Sequence, residues 1–338
     1  MKKRLLTGDR PTGKLHLGHY VGSLKNRISL QDKYECFIII ADLHTLTTRA
    51  QKTADLEKNI FELVLDYLSV GIDPSKVNIY IQSQIPEVTE IANIFSNLIT
   101  VNRLQRVPTL KEITKDLAIH NPSFGLLGYP VLMAADILMV KAEIVPVGKD
   151  QISHVEVCRE VAQTFNRYYR KIFKLPQALV GEVPILPGTD GKAKMSKSLG
   201  NVINLSDSSP QVRKQVMSMY TDPKRIHGNE PGETKNNPVF IYLRAFAQPR
   251  HQKKLSEYTN LYQKGKIGDV KVKEFLFEVL EEFLTPIRKK RKTFQNNPQL
   301  LKKILNTGSQ KARTEAQKTL LEMKKVMKMA YPKIFGKN

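Results

Sequence analysis

The run Cys36-Phe37-Ile38-Ile39-Ile40-Ala41 constrains the fold more than any other stretch of this chain. Six consecutive apolar residues leave no polar face for water, which is the pattern of a strand covered on both sides in a parallel sheet. The flanks repeat that logic. Leu56, Ile60, Leu63, Tyr67 and Leu68 recur with helical spacing, stopped by Gly71 and Pro74, and Val77–Ile81 reads as the next strand. A further strand is expected over 143–147, followed by a helix over about 152–165. Alternating strand and helix predict an α/β fold, a doubly wound, Rossmann-like parallel sheet.

In such sheets ligands bind beyond the carboxyl ends of the strands. Asp42-Leu43-His44 ends the apolar run, so His44 is a substrate-site candidate beside the simpler reading of a loop histidine. Gly148-Lys149-Asp150-Gln151 ends the 143–147 strand, where a glycine admits a ligand close to the backbone and an acid can accept from ribose hydroxyls. Val88, Ile91, Phe95, Leu98 and Ile99 mark another helical face, and the basic segment 103–115 after it reads as exposed. The stretch 129–139 reads as a helix apolar nearly all round, apart from Asp136. Tyr129, Met133 and Asp136 are spaced to share one face and line one pocket. A buried acid there caps backbone groups or, if no basic side chain pairs with it, receives a ligand N–H.

Two loops carry the strongest chemical signals. Gly8-Asp9-Arg10-Pro11-Thr12-Gly13-Lys14-Leu15-His16-Leu17-Gly18-His19-Tyr20 follows Leu5-Leu6 and leads into an amphipathic helix through Tyr20, Val21, Leu24 and Ile28. Backbone N–H groups at a helix start favour anions. Gly13 and Gly18 leave room for a base or phosphate, and two imidazoles three residues apart can donate to one cluster of phosphoryl oxygens. Taken alone, the same pair also fits two ordinary loop histidines or a two-histidine metal pair. The loop 184–198 contains Ile185, Gly188, Gly191 and then Lys194-Met195-Ser196-Lys197-Ser198. Ammonium groups on a closing loop can neutralise a departing pyrophosphate.

Composition narrows the setting. The 338 residues carry 54 Lys plus Arg against 32 Asp plus Glu, a net charge of +22, which points to a polyanion such as nucleic acid as partner. Residues 281–338 hold 15 Lys plus Arg and 4 Asp plus Glu, so +11 of that excess falls in the last sixth. No apolar run has the length of a membrane span and Met1-Lys2-Lys3-Arg4 leads into no signal-peptide core, so a cytoplasmic, non-membrane protein is expected. Cys36 and Cys158 are far apart without a C-x-x-C pairing, which argues against zinc, iron–sulfur or disulfide roles.

His16-Leu17-Gly18-His19 and Lys194-Met195-Ser196-Lys197-Ser198, in this order on this pattern, resemble the HIGH and KMSKS motifs of class I aminoacyl-tRNA synthetases. Within that class, Pro11-Thr12-Gly13, Met133-Ala134-Ala135-Asp136 and Val147-Gly148-Lys149-Asp150-Gln151 resemble tryptophanyl-tRNA synthetase, over nearly the whole chain. The tyrosyl family has a glutamine where Met133 stands and a tyrosine near the end of its first strand, where Leu6 offers no partner for a phenol. Small adenylyltransferases share the first motif and the α/β fold but are much shorter and lack the second motif and the basic helical tail, and a catalytically silent RNA-binding paralogue would not need both motifs intact.

The resemblance implies ATP-dependent ligation of L-tryptophan to tRNA(Trp) through a tryptophanyl-adenylate, with Mg-ATP as substrate and a homodimeric enzyme. It implies catalytic roles for His16, His19, Lys194 and Lys197. ATP contacts are implied for Arg10, Pro11, Thr12, Gly18, His19, Lys111, Gly148, Lys149, Asp150 and Ile185, and for Lys194, Met195, Ser196, Lys197 and Ser198. Tryptophan contacts are implied for Leu6, Gly8, His44, Tyr129, Met133, Asp136 and Gln151, with Asp136 accepting from the indole N–H. The expected organisation is a catalytic domain at 1–204, with a helical insertion at about 84–140, followed by an all-helical anticodon-binding domain at 205–338. Leu6, Leu43, Lys149 and His19 depart from the family's commonest residues.

Overall fold

The computed structural model describes residues 2–116, 118–148, 151–181, 186–191, 195–221, 225 and 230–335. Its centre is a five-stranded sheet of β1 (Arg4–Asp9), β2 (Glu35–Ile40), β3 (Val77–Ile81), β4 (Ile144–Val147) and β5 (Gln177–Val180). All pairings are parallel and the order is β3-β2-β1-β4-β5, the doubly wound arrangement that the apolar run at Cys36 predicts. β2 is buried from Cys36 to Ile40. Successive side chains serve opposite faces: Leu5, Ile38 and Ile40 join one core, while Leu6, Phe37 and Ile39 join the other. β5 is a strand the sequence does not announce, because it lies at the sheet's margin with no residue fully buried.

The helices near the strand ends are more broken than the sequence pattern suggests. The first is α1 (Leu17–His19), a five-residue π-helical stretch Tyr20–Leu24, then α2 (Lys25–Leu30). Widened turns of this kind concentrate at functional sites. After β2 comes α3 (Asp42–Arg49), so His44 sits in a helix's first turn rather than in a loop. α4 (Leu56–Val70) follows, and between β3 and β4 the chain is helical, with α5 (Glu87–Ser96), α6 (Val101–Gln105), α7 (Pro108–Asp116) and α8 (Phe124–Met139). α9 (Ile152–Tyr168) connects β4 to β5. No helix among the described residues is long and apolar enough to cross a membrane.

Beyond Leu205 the named elements are all helices: α10 (Ser209–Met217), α11 (Pro238–Phe246), α12 (Gln252–Gln263), α13 (Asp269–Gln295), α14 (Pro298–Val326) and α15 (Pro332–Phe335). They share cores with the sheet. Phe240, Leu276 and Leu305 belong to the cluster that contains Leu5, and Ala312, Ala316 and Met323 belong to the one that contains Leu6. α14 lies across the open edge of β3. A Cβ on Gly308 would fall 1.9 Å from the Ile79 carbonyl oxygen, so only glycine lets helix and strand backbones approach this closely. Ser309 Oγ accepts the Ile81 N–H at 3.4 Å, and Glu315 and Lys324 form ion pairs with Arg4 and Glu90, each at 2.7 Å.

Candidate active site

β1 and β4 are neighbours whose connections run in opposite directions across the sheet, and a cavity of ≈ 410 Å³ opens at that switch point. The end of β1 supplies Leu6, Gly8 and Arg10, the first turn of α3 supplies His44, and one face of α8 supplies Tyr129, Met133 and Asp136. Gly148 after β4 and Gln151 before α9 complete the far wall. The seven residues proposed from sequence as one binding group therefore line one cavity.

Asp136, 2% exposed, is held by donors from two strand ends. His44 Nε2 lies 2.9 Å from Oδ2, and Gln82 Nε2 donates to both carboxylate oxygens at 2.9 Å. An ionised carboxylate can only accept, so toward Asp136 in that form His44 Nε2 is the donor. The acid thus has a histidine and an amide as partners, where the sequence offers a backbone cap or, failing a basic partner, a ligand N–H. Burial pushes its pKa up, opposed by the hydrogen bond and charge of His44 and by the hydrogen bond from Gln82. Gln82 was missed from sequence, although it follows β3 at the same carboxyl-end position that singled out His44 after β2.

A second polar chain crosses the cavity wall. Gln151 Oε1 lies 2.6 Å from His154 Nδ1, so that nitrogen is the donor and Nε2 is left to accept the Tyr129 hydroxyl. Burial pushes the Tyr129 hydroxyl up to about 12, so it stays protonated at neutral pH. His154 was also missed, although it stands one helical turn after Gln151.

The two signature loops meet although about 180 residues separate them. Leu17 N–H donates to the Ile203 carbonyl, and Leu205 N–H donates to the Leu15 carbonyl, both at 2.9 Å, with a bridge between His16 and Asn204. Buried Met195 packs beside Gly18: a Cβ at Gly18 would lie 3.1 Å from its sulfur and 2.9 Å from His16 Nδ1. The His16 and His19 rings are 3.8 Å apart, and His16 N–H donates to His19 Nδ1 at 3.2 Å. Lys197 Nζ donates to the Thr12 carbonyl at 3.2 Å. Burial lowers the pKa of Lys197, while the carboxylates of Asp66 and Asp9 raise it. Ser196 N–H donates to Asn201 Oδ1, and Ser198 lies in the 3-10 turn Lys197–Leu199.

Other residues named from sequence fall elsewhere. Pro11 is buried and Thr12 half-buried, neither lining the cavity, and Lys111 is exposed on α7, where its neighbours Thr109 and Ile113 are the ones that reach the cavity. Lys149, Asp150, Ile185 and Lys194 lie outside the described residues. Behind the first loop lies an ion pair that no local pattern marks: Arg27 Nη1 lies 2.5 Å from Asp9 Oδ2, and the Tyr67 hydroxyl donates to the same oxygen at 2.6 Å. Burial would raise the Asp9 pKa, but the Arg27 charge outweighs it and the carboxyl is held at about 2. Among the described residues no group of three or more His, Cys, Asp or Glu is placed to hold a metal ion.

The family model described as tRNA synthetases class I (W and Y) matches residues 1–285. A tryptophan–tRNA ligase of Treponema pallidum is 52% identical over 326 residues, 96% of either chain. One from Chlamydia caviae is 48% identical, covering 97% of this chain and 96% of its own. The crystal structure of tryptophanyl-tRNA synthetase from Campylobacter jejuni, complexed with ADP and tryptophan, superposes with a TM-score of 0.85 at 37% identity, over 96% of this chain and 99% of that one. With the two signature loops hydrogen-bonded beside a switch-point cavity, and with similarity running nearly end to end, the chain belongs to the class I tRNA synthetases and, within them, to the tryptophan–tRNA ligase family.

Proposed function

We propose that the switch-point cavity binds L-tryptophan and that the joined signature loops bind ATP, so that the chain ligates tryptophan to tRNA(Trp) through a tryptophanyl-adenylate. The observation that carries the reading is Asp136, whose charge is buried on the cavity wall with partners that do not exhaust it. A carboxylate offers about four lone-pair directions, of which His44 and Gln82 engage three. The remaining one accepts the indole N–H, and the thioether of Met133 packs on the ring. Leu6, Gly8, Tyr129 and Gln151 enclose the rest of the amino acid.

The tryptophan carboxylate attacks the α-phosphate of ATP, forming the acyl–phosphate bond and releasing pyrophosphate; Mg2+ enters with the nucleotide as part of that substrate. His16 and His19 donate to the phosphoryl oxygens, and Lys194 and Lys197 neutralise the pyrophosphate. Arg10, Pro11, Thr12, Gly18, Gly148, Lys149, Asp150, Ile185, Met195, Ser196 and Ser198 hold the nucleotide, with Lys111 an added phosphate contact. A ribose hydroxyl of the tRNA's terminal adenosine then takes the acyl group.

Residues 1–204, with the insertion at about 84–140, form the catalytic unit, and 205–338 form the anticodon-binding unit. Exposed Lys289, Lys290 and Lys292 on α13 support an RNA surface there. The enzyme works as a cytoplasmic homodimer. ATP–pyrophosphate exchange measured across the amino acids tests the reading. Exchange confined to tryptophan is expected, and exchange with tyrosine, or none with tryptophan, would overturn it.

A further inference from the structure

Asp66 on α4 is fully buried and lines no part of the cavity. One carboxylate oxygen accepts the Leu15 N–H at 2.7 Å, immediately before His16. The other pairs with Nη1 of Arg291 on α13, 225 residues away, and Arg291 Nη2 reaches Glu62 at 2.6 Å. Arg291 is also buried, unlike Lys290 and Lys292 on either side of it. A buried acid and its cation are costly to desolvate and often no better for stability than apolar residues of the same volume, so their placement asks for another account. The Leu15 carbonyl is already bound by Leu205 from the strip after the second signature. Asp66 fixes the amide on the other side of the same residue, and with it the backbone from which His16 projects.

We propose that Asp66 and Arg291 are positioning residues for adenylate formation, holding the Leu15–His16 backbone and linking α13 to the first signature loop. The proposal rests on the ligase reading above. The groups facing Asp66 are Arg291 from α13, Glu62 from its own helix, Lys14 from the loop, and Lys197 of the second signature, which feels its charge. Burial pushes the carboxyl up to about 6, against the pull of Arg291, the Leu15 N–H and Lys14, with Glu62 pushing the same way as burial. Removing Arg291 raises it further, toward neutral pH, where protonation weakens the acceptor that holds Leu15.

The test uses the full chain, with tryptophan-dependent ATP–pyrophosphate exchange and the thermal midpoint measured between about pH 5.5 and 8. Arg291→Met is expected to lower kcat about tenfold while KM for tryptophan changes by less than about twofold, and to move the acid limb of the profile upward. Arg291→Lys should restore most of the rate and the limb. Asp66→Asn should lower kcat and abolish the limb, with Arg291→Met adding nothing in that background. Variants that keep the parental kcat and pH profile would overturn the proposal. So would losses of rate that follow the folded fraction, with no rescue by Arg291→Lys. Absence of exchange in the parent chain would instead overturn the ligase reading, so the two failures are distinguishable.

Discussion

Asp136 and Asp66 are both buried acids on helices packed against opposite faces of the sheet, and they differ in what faces them. Asp66 meets a guanidinium and a backbone amide, and lines no part of the switch-point cavity. Asp136 meets a histidine and a side-chain amide, and borders open space. A carboxylate given a permanent cation has its charge consumed within the protein. One held by weaker donors beside a cavity keeps an acceptor for something that arrives.

The comparison is most exposed to test between the two acids, at His16. On the proposed reading, in which its bonds form mainly in the transition state, His16→Ala should slow single-turnover adenylate formation by roughly 10²-fold or more while tryptophan affinity changes little. Equal losses in binding and rate would assign it to holding ground-state ATP. Asp136→Ala should act on the other parameter, raising KM for tryptophan about 30-fold, since His44 and Gln82 are left without their acceptor and the indole N–H without a partner. If kcat fell and KM held, Asp136 would belong with Asp66 as a positioning group.

The pH dependence of stability gives two effects of opposite sign. The Asp9 pKa is held near 2, below the usual 3.8, so its contribution is present above about pH 4 and lost as pH falls through about 2. Asp9→Asn should remove about 2 kcal/mol of acid sensitivity, read by denaturant unfolding across that range. Asp66, raised to about 6, favours the fold when protonated, so its contribution is present below about pH 4 and lost as pH rises through about 6. Asp66→Asn should flatten that later decline. The smallest effect expected is that of Gln82→Met, about fivefold in KM for tryptophan, because His44 still holds Asp136.

What could be read in advance was whatever a residue's own neighbours in sequence dictate. Cys36–Ile40 had to be a doubly covered strand because no polar residue interrupts it, whereas β5 lies at the margin, half-exposed, and carries no such run. Asp136 stood out as one acid on an apolar helix, but Gln82 is brought to it by the sheet from 54 residues away. Asp66 stands on the buried side of α4, yet its cation comes from 288–292, a run of five consecutive basic residues in which nothing local singles out Arg291. Within that run Arg291 turns inward and Arg288 pairs with Glu281 at 2.5 Å, while Lys289, Lys290 and Lys292 stay outside. Helical periodicity marks which side of a helix is buried, and long-range pairing decides which charges go there.

Gly308 against Ile79 has a consequence for how the chain matures on the ribosome. β3 is complete by residue 81, while the helix that covers its open edge begins only at 298, about 220 residues later. During that interval the nascent sheet offers a row of unpaired backbone groups to any other extended chain. Protection comes only when α14 has left the exit tunnel, so truncation before it, or a side chain at Gly308, should make the chain aggregate during synthesis.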